Sequence, residues 1–155
     1  MSAGSTLGKH FDEIAVGEKW RSHGRTVTEA DIVNFAGLSG DFNPIHTNAV
    51  YAAGTMFGKR VAHGLLGLAI ASGLAVQLGF MGDKVEAFLD LEWKFRQPIF
   101  IGDTIRAEIT VSETKPARRL GGGIVSFDVV LLNQDDKQTG RGTWRILFKS
   151  KPQES

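Results

Sequence analysis

The sequence predicts an α+β domain in which an antiparallel sheet curves around one long apolar helix. Three observations predict it. Residues 64–80, GLLGLAIASGLAVQLGF, are apolar on every side of a helix. The 16 residues from Leu65 to Phe80 fall short of the ~20 that cross a bilayer, so the helix belongs inside the fold. Beyond Gly82 the chain alternates apolar and polar residues at period two, in segments joined by short turns, which is the pattern of antiparallel strands.

In chain order, residues 1–9 are small and polar and are expected to fray, as are residues 151–155. Trp20–Val27 gives a weak strand signal. In Thr28–Asp31, TEAD, Thr28 is placed to cap a helix and Asp31 to favour the positive end of its dipole. Ile32, Val33, Phe35 and Ala36 give that helix one buried face, and it stops at Gly37 or Gly40. Ser39–His46, SGDFNPIH, consists mostly of turn-formers and reads as a loop. Asn48 caps a short helix, AVYAA, ended by Gly54. Gly58–Gly64 leads into the central helix, whose glycines 64, 67, 73 and 79 are expected to admit a close approach of the sheet. Val85–Phe95, VEAFLDLEWKF, should place Val85, Ala87, Leu89, Leu91, Trp93 and Phe95 on one side. PIFIGD is a turn and IRAEITV a strand. KPARRLGGG reads as a turn or flexible loop, IVSFDVVLL as a strand, NQDDKQTG as a hairpin connection and WRILF as the last strand. The whole is one domain, residues 1–155, with a four- or five-stranded sheet. Its edge strands invite pairing with a second chain.

Composition excludes several function classes. The chain has 155 residues, 42% hydrophobic and 23% charged, with 18 Lys plus Arg against 17 Asp plus Glu. A net charge of +1 does not suit a nucleic-acid or membrane-surface partner, which calls for a clustered basic face. With no cysteine, disulfide scaffolds, thiol nucleophiles and cysteine-ligated metals are excluded. MSAGSTLGKH lacks the apolar core of a secretory signal, and the expected setting is the reducing cytoplasm.

Asp41 and His46 stand out because a carboxylate and an imidazole share one turn. Asp, Asn and Pro are themselves ordinary turn residues, so a plain turn accounts for DFNP as well as a catalytic pair does. A calcium loop would need further oxygen ligands and a closing glutamate. A zinc site on His46 and His63 would need a third ligand, and no HExxH spacing is present. No GxSxG elbow supports a serine triad.

The full string Phe35–His46, FAGLSGDFNPIH, resembles the signature of the MaoC-like dehydratases and (R)-specific enoyl-CoA hydratases. Val61–Ser72, VAHGLLGLAIAS, is similar to that family's entry into its central helix. Phe95–Ile105, FRQPIFIGDTI, is similar to its strand-to-turn segment. The resemblance covers about Gly17 to Phe148. It implies the hotdog fold, a homodimer or dimer-based higher oligomer with the two sheets joined, an acyl-CoA substrate, no cofactor and no metal.

By position, the resemblance places the catalytic pair on Asp41 and His46 and an oxyanion hole on the Gly64 N–H. A helix N-terminus with unpaired N–H groups suits a developing enolate oxygen. Ser72 matches a supporting serine of some members, although a serine bonded back to its own helix reads the same in sequence. Asn43 is expected to shape the loop and line the pocket entrance, and His63 to hold the segment presenting Gly64. Many relatives carry proline where this chain has Arg60, which leaves that loop expected to be less rigid. Lys59 and Arg60, or Lys94, Arg96, Arg118 and Arg119, are candidates for the CoA phosphates, against a reading as solvated surface charge. Met56, Phe57, Leu65 and Phe80 are candidates for the acyl tunnel. The implied reaction is reversible hydration of a trans-2-enoyl-CoA to a (3R)-3-hydroxyacyl-CoA, with an acyl-carrier-protein substrate left open. The competing functions are a hotdog thioesterase and a non-catalytic acyl-CoA-binding module.

Overall fold

The computed structural model describes residues 7–153. Four helices, α1 (Glu29–Ser39), α2 (Pro44–Thr47), α3 (Ala49–Ala53) and α4 (Gly64–Gln77), stand with six strands. The strands are β1 (Lys19–Arg21), β2 (Arg25–Thr26), β3 (Val85–Phe95), β4 (Thr104–Ala117), β5 (Gly122–Leu132) and β6 (Gln138–Lys149). The sheet runs β1-β4-β5-β6-β3, antiparallel throughout, with β2 pairing β4 beside β1. It curves around α4 in the hotdog arrangement. No helix of the described residues is long and apolar enough to cross a membrane.

Leu66, Ile70, Ala71, Leu74 and Ala75 form the buried stripe of α4, at the three- and four-residue spacing of one helix face. They meet Ile109, Val111, Phe127, Val129, Trp144 and Ile146 from the sheet. The opposite face is open: Leu65 is 61% and Val76 59% exposed. The sheet therefore cradles the helix on one side, where an all-apolar sequence suggested burial all round. Of the four glycines expected at close contacts, two serve that purpose. A Cβ on Gly64 would lie 2.6 Å from the Phe95 ring, and one on Gly67 2.8 Å from Ile99 Cδ1, whereas Gly73 and Gly79 have open space around them.

Sheet and turns depart from expectation in four places, the first being six strands instead of four or five, because the early segment gives two short strands, β1 and β2. The ladder pairs Phe88 with Ile146 and Leu91 with Trp144, residues of the buried face. Register shifts at Val85/Ala87 and Phe88/Asp90 thus break the alternation, so Phe88 joins Leu91, Trp93 and Phe95 while Ala87 and Leu89 leave that set. KPARRLGGG is mostly strand: Lys115–Ala117 pair with Gly122–Ile124, leaving only Arg118–Leu120 as a 3-10 turn. The SGDFNPIH loop contains helix α2, with Pro44 at its first position.

α1 begins as expected, with the Thr28 side chain accepting from Asp31 N–H and the Asp31 carboxylate accepting from Thr28 N–H. It ends at Gly40 in the left-handed region. At the chain ends, Lys9 N–H donates to the Phe80 carbonyl at 2.7 Å and Lys151 N–H to Asp12 at 2.8 Å. Residues 7–9 and 151 are thus tied to the body of the fold, whereas residues 1–6 and 154–155 lie outside the described residues.

Candidate active site

The loop between α1 and α2 is built by side chains bonding to nearby backbone. Ser39 Oγ donates to the Phe35 carbonyl and accepts from Asp41 N–H. Asp41 Oδ1 accepts from Asn43 N–H at 3.1 Å, and Asn43 Oδ1 caps α2 by accepting from Ile45 N–H at 3.2 Å. These turn bonds leave Asp41 Oδ2 free to point elsewhere. α2 in turn carries His46 inward, so that its side chain is 9% exposed beside an Asp41 side chain 51% exposed.

The ring of His46 has one orientation available. Its Nδ1 lies 2.6 Å from the Val61 carbonyl, which only accepts, so Nδ1 carries the hydrogen and the neutral ring keeps its lone pair on Nε2. That Nε2 is 4.0 Å from Asp41 Oδ2. The segment holding the ring is itself fixed: Val61 bridges to Phe100, and Ala62 N–H donates to the Ile99 carbonyl at 2.8 Å. Arg60 donates from Nε to the His46 carbonyl at 2.7 Å and pairs with Glu29 at the start of α1. The loop expected to be less rigid is held by this side chain.

His63 packs flat on His46, with ring centroids 3.8 Å apart and planes 27° apart. Its Nε2–H donates to the Asp41 carbonyl at 2.9 Å, while its buried Nδ1 has no partner among the described residues. The histidine thus links the Asp41 loop to the start of α4. Asp41, His46 and His63 place one ligand atom each within 4.8 Å of one another, so Asp41 stands where a third ligand beside the two histidines would be. One nitrogen of each ring is committed to a carbonyl, that of Val61 for His46 and that of Asp41 for His63.

A cavity of about 420 Å³ opens beside this pair, lined by His46, His63 and Gly64 at one end. Leu65, Leu68, Trp93, Ile99 and Leu131 give it an apolar wall. Gly64 is the first residue of α4, where helix geometry leaves N–H groups without intrahelical acceptors. The structure brings Asp41 within 4.0 Å of His46, and His46, His63 and Gly64 line the cavity, whereas Asp41 stands outside its wall. Asn43 shapes the loop without lining the cavity. Ser72 lies along α4 and donates to the Ala69 carbonyl at 2.6 Å, outside the cavity wall. Of the tunnel candidates, Phe57 and Leu65 line the cavity; Met56 is solvent-exposed, and Phe80 stacks on Trp20 in the core. Trp93, Gln97, Ile99, Leu131 and Thr139 were missed. Ile99 lies in PIFIGD, which read as a turn rather than a wall, and the other four stand in or beside strands whose alternation does not mark which residues face a cavity.

Residues 12–130 match the model of the MaoC like domain. The chain is 38% identical over 120 residues to the (R)-specific enoyl-CoA hydratase of Rhodospirillum rubrum, covering 77% of this chain and 81% of that one. It is 43% identical over 103 residues to Protein MaoC of Klebsiella aerogenes, which covers 66% of this chain but only 30% of that longer protein. Among solved structures it is similar to the monoamine oxidase regulatory protein of an Archaeoglobus species, at 35% identity and a TM-score of 0.88. That likeness spans 94% of this chain and 97% of that one.

Proposed function

This chain belongs to the MaoC-like domain family, and we propose that it hydrates trans-2-enoyl-CoA reversibly to (3R)-3-hydroxyacyl-CoA, using Asp41 and His46 on one water. The observation that carries the reading is the 4.0 Å between Asp41 Oδ2 and His46 Nε2. It is too long for a direct hydrogen bond, yet both acceptors can reach a single water at ordinary hydrogen-bond distance. Two acceptors holding the two hydrogens of one water leave its oxygen lone pair free to attack, and His46, which lines the cavity, sets that water at the cavity's margin.

The steps follow from that placement. As the water oxygen bonds to the β-carbon, one of its protons passes to the pair, and the thioester oxygen takes on enolate charge. Gly64 N–H, at the positive end of α4, faces that charge. The proton held by the pair then bonds to the α-carbon, so hydroxyl and hydrogen together account for one water. Dehydration runs the same steps backwards. The apolar wall accepts the acyl tail, and the R configuration is taken from the name of the Rhodospirillum relative.

The test is incubation with crotonyl-CoA. Loss of the enoyl absorbance with formation of 3R product and no free thiol is expected. Release of free CoA would make the protein a thioesterase, and tight binding without turnover a non-catalytic acyl-CoA module. Asp41→Asn, which keeps an acceptor for Asn43 N–H, and His46→Ala should each lower kcat by ~10²–10⁴. Near-normal hydration by both, with melting curves showing them folded, removes the pair from the mechanism.

The same reading includes a homodimer. β3 is an unpaired sheet edge whose Phe88, Leu89, Leu91 and Phe95 are 40–56% exposed, and α4 adds Leu65 and Val76. A second copy, edge to edge, is the partner that would cover both.

A further inference from the structure

We propose that His63 is a positioning residue for hydration, holding Asp41, His46 and the Gly64 N–H in register; the proposal rests on reading Asp41 and His46 as the catalytic pair. Asp41 sits half exposed on a surface loop, so its aim depends on what anchors that loop. Its bonds to Ser39 Oγ and Asn43 N–H are local and move with the loop. Among the described residues, one hydrogen bond ties Asp41 to a distant part of the chain, from His63 Nε2–H to its carbonyl at 2.9 Å. The same ring lies against the His46 ring, with centroids 3.8 Å apart, and Phe35 of α1 packs on it at 4.9 Å. One buried side chain, 2% exposed, thus holds the backbone of one member of the pair and backs the imidazole of the other.

His63 is also the N-cap residue of α4. A polar residue in that position usually turns its side chain back to accept from the first free N–H groups of the helix. His63 makes no such bond, because its side chain reaches for Asp41 instead. The Gly64 N–H is thereby left without a side-chain acceptor, as a site for a thioester oxygen requires. That N–H belongs to the planar peptide whose carbonyl is that of His63, and the carbonyl accepts from Gly67 N–H at 3.2 Å. Held by its ring at one end and by its carbonyl at the other, His63 fixes the direction of the Gly64 N–H together with the aim of the pair.

The ring is not placed to be an acid or base itself. A carbonyl only accepts, so Nε2 carries the hydrogen and is committed to Asp41. Nδ1 is buried and has no partner among the described residues. Neither nitrogen is free to trade a proton with a substrate, and His63 acts through the pair.

The test is a double-mutant cycle on the full chain with crotonyl-CoA, with melting curves confirming that each variant is folded. His63→Phe keeps a flat ring against His46 and removes the N–H donor, whereas His63→Gln keeps an N–H donor and removes the ring. Each should lower kcat about tenfold and change KM less than about twofold, and His63→Leu, which has neither feature, should lose about a hundredfold in kcat. In the Asp41→Asn background His63→Phe should cost less than about twofold, because no carboxylate remains to be aimed. The full tenfold loss in that background overturns the proposal, as does wild-type kcat in folded His63→Leu. Long-range proton–nitrogen NMR of the imidazoles at neutral pH should show the His63 hydrogen on Nε2, and a hydrogen on Nδ1 alone overturns the bond to Asp41. A wild-type protein that carries the hydrogen on Nε2 yet hydrates nothing would refute the catalytic reading while supporting the hold on Asp41.

Discussion

His46 is fixed through backbone atoms on two sides. Its ring donates to the Val61 carbonyl, its own carbonyl accepts from Arg60 Nε, and Val61 N–H donates to the Ile45 carbonyl at 3.2 Å. Arg60 is the one side chain in that grip, and its planar fork reaches the His46 carbonyl and Glu29 together. Lysine offers one ammonium and cannot reproduce both contacts. Arg60→Lys should therefore lower kcat about tenfold by loosening the aim of Nε2, with KM little changed. Glu29→Gln should cost less, because the Nε bond survives. Steady-state kinetics on the two variants decide it, and wild-type kcat in Arg60→Lys would show that the guanidinium does not position the ring. The pair itself was legible, since Asp41 and His46 lie five residues apart in a stretch of distinctive composition. The Arg60 contact and the His63–His46 stack were not, because each joins residues 14 or more apart through geometry that only the folded loop defines.

Elements were legible where a local physical signal was strong and unopposed. The Thr28–Asp31 capping box started α1 where expected, and the apolar run from Gly64 gave α4. α2 was hidden because an Asn-Pro turn and an Asn-capped helix opening with Pro share the same residues. The bulges in β3 were hidden because nothing in an alternating pattern marks where a ladder slips. The capping box also sets a pH dependence. The Arg25 guanidinium, then Thr28 N–H and hydroxyl, hold the Asp31 carboxyl below its ordinary value of 3.8, against the opposing pull of desolvation. As pH falls the unfolded chain takes up this proton first, so the contribution is fully present above about pH 4 and is lost below it. At neutral pH, Asp31→Asn should cost about 1 kcal/mol in urea unfolding. As pH falls below about 4 the gap between wild type and variant should narrow, and a gap that widens on acidification would contradict the assignment.

For the molecule as a whole, the unresolved mismatch is between a well-filled interior and an apolar margin. The sheet has two edges: β1, only three residues long, and β3, eleven residues long with its outer hydrogen-bonding groups unpaired. Proteins that stay single usually blunt such an edge with short strands, charge or proline. β3 does carry Asp90 and Glu92, but both are drawn across the sheet to Arg145, leaving Phe88, Leu89 and Leu91 half exposed beside them. The open side of α4 adds Leu65 and Val76. A second copy joined at β3 would satisfy the edge and cover this margin, whereas a monomer would leave both in water. Sedimentation velocity at micromolar concentration should accordingly give a dimer. Leu89 is the residue to change, because the register shift at Phe88/Asp90 takes it off the face that packs against Trp144. Leu89→Lys should shift the protein toward monomer and make its melting temperature independent of concentration while the fold persists. A wild-type chain that sediments as a monomer would mean that the β3 edge is left unpaired.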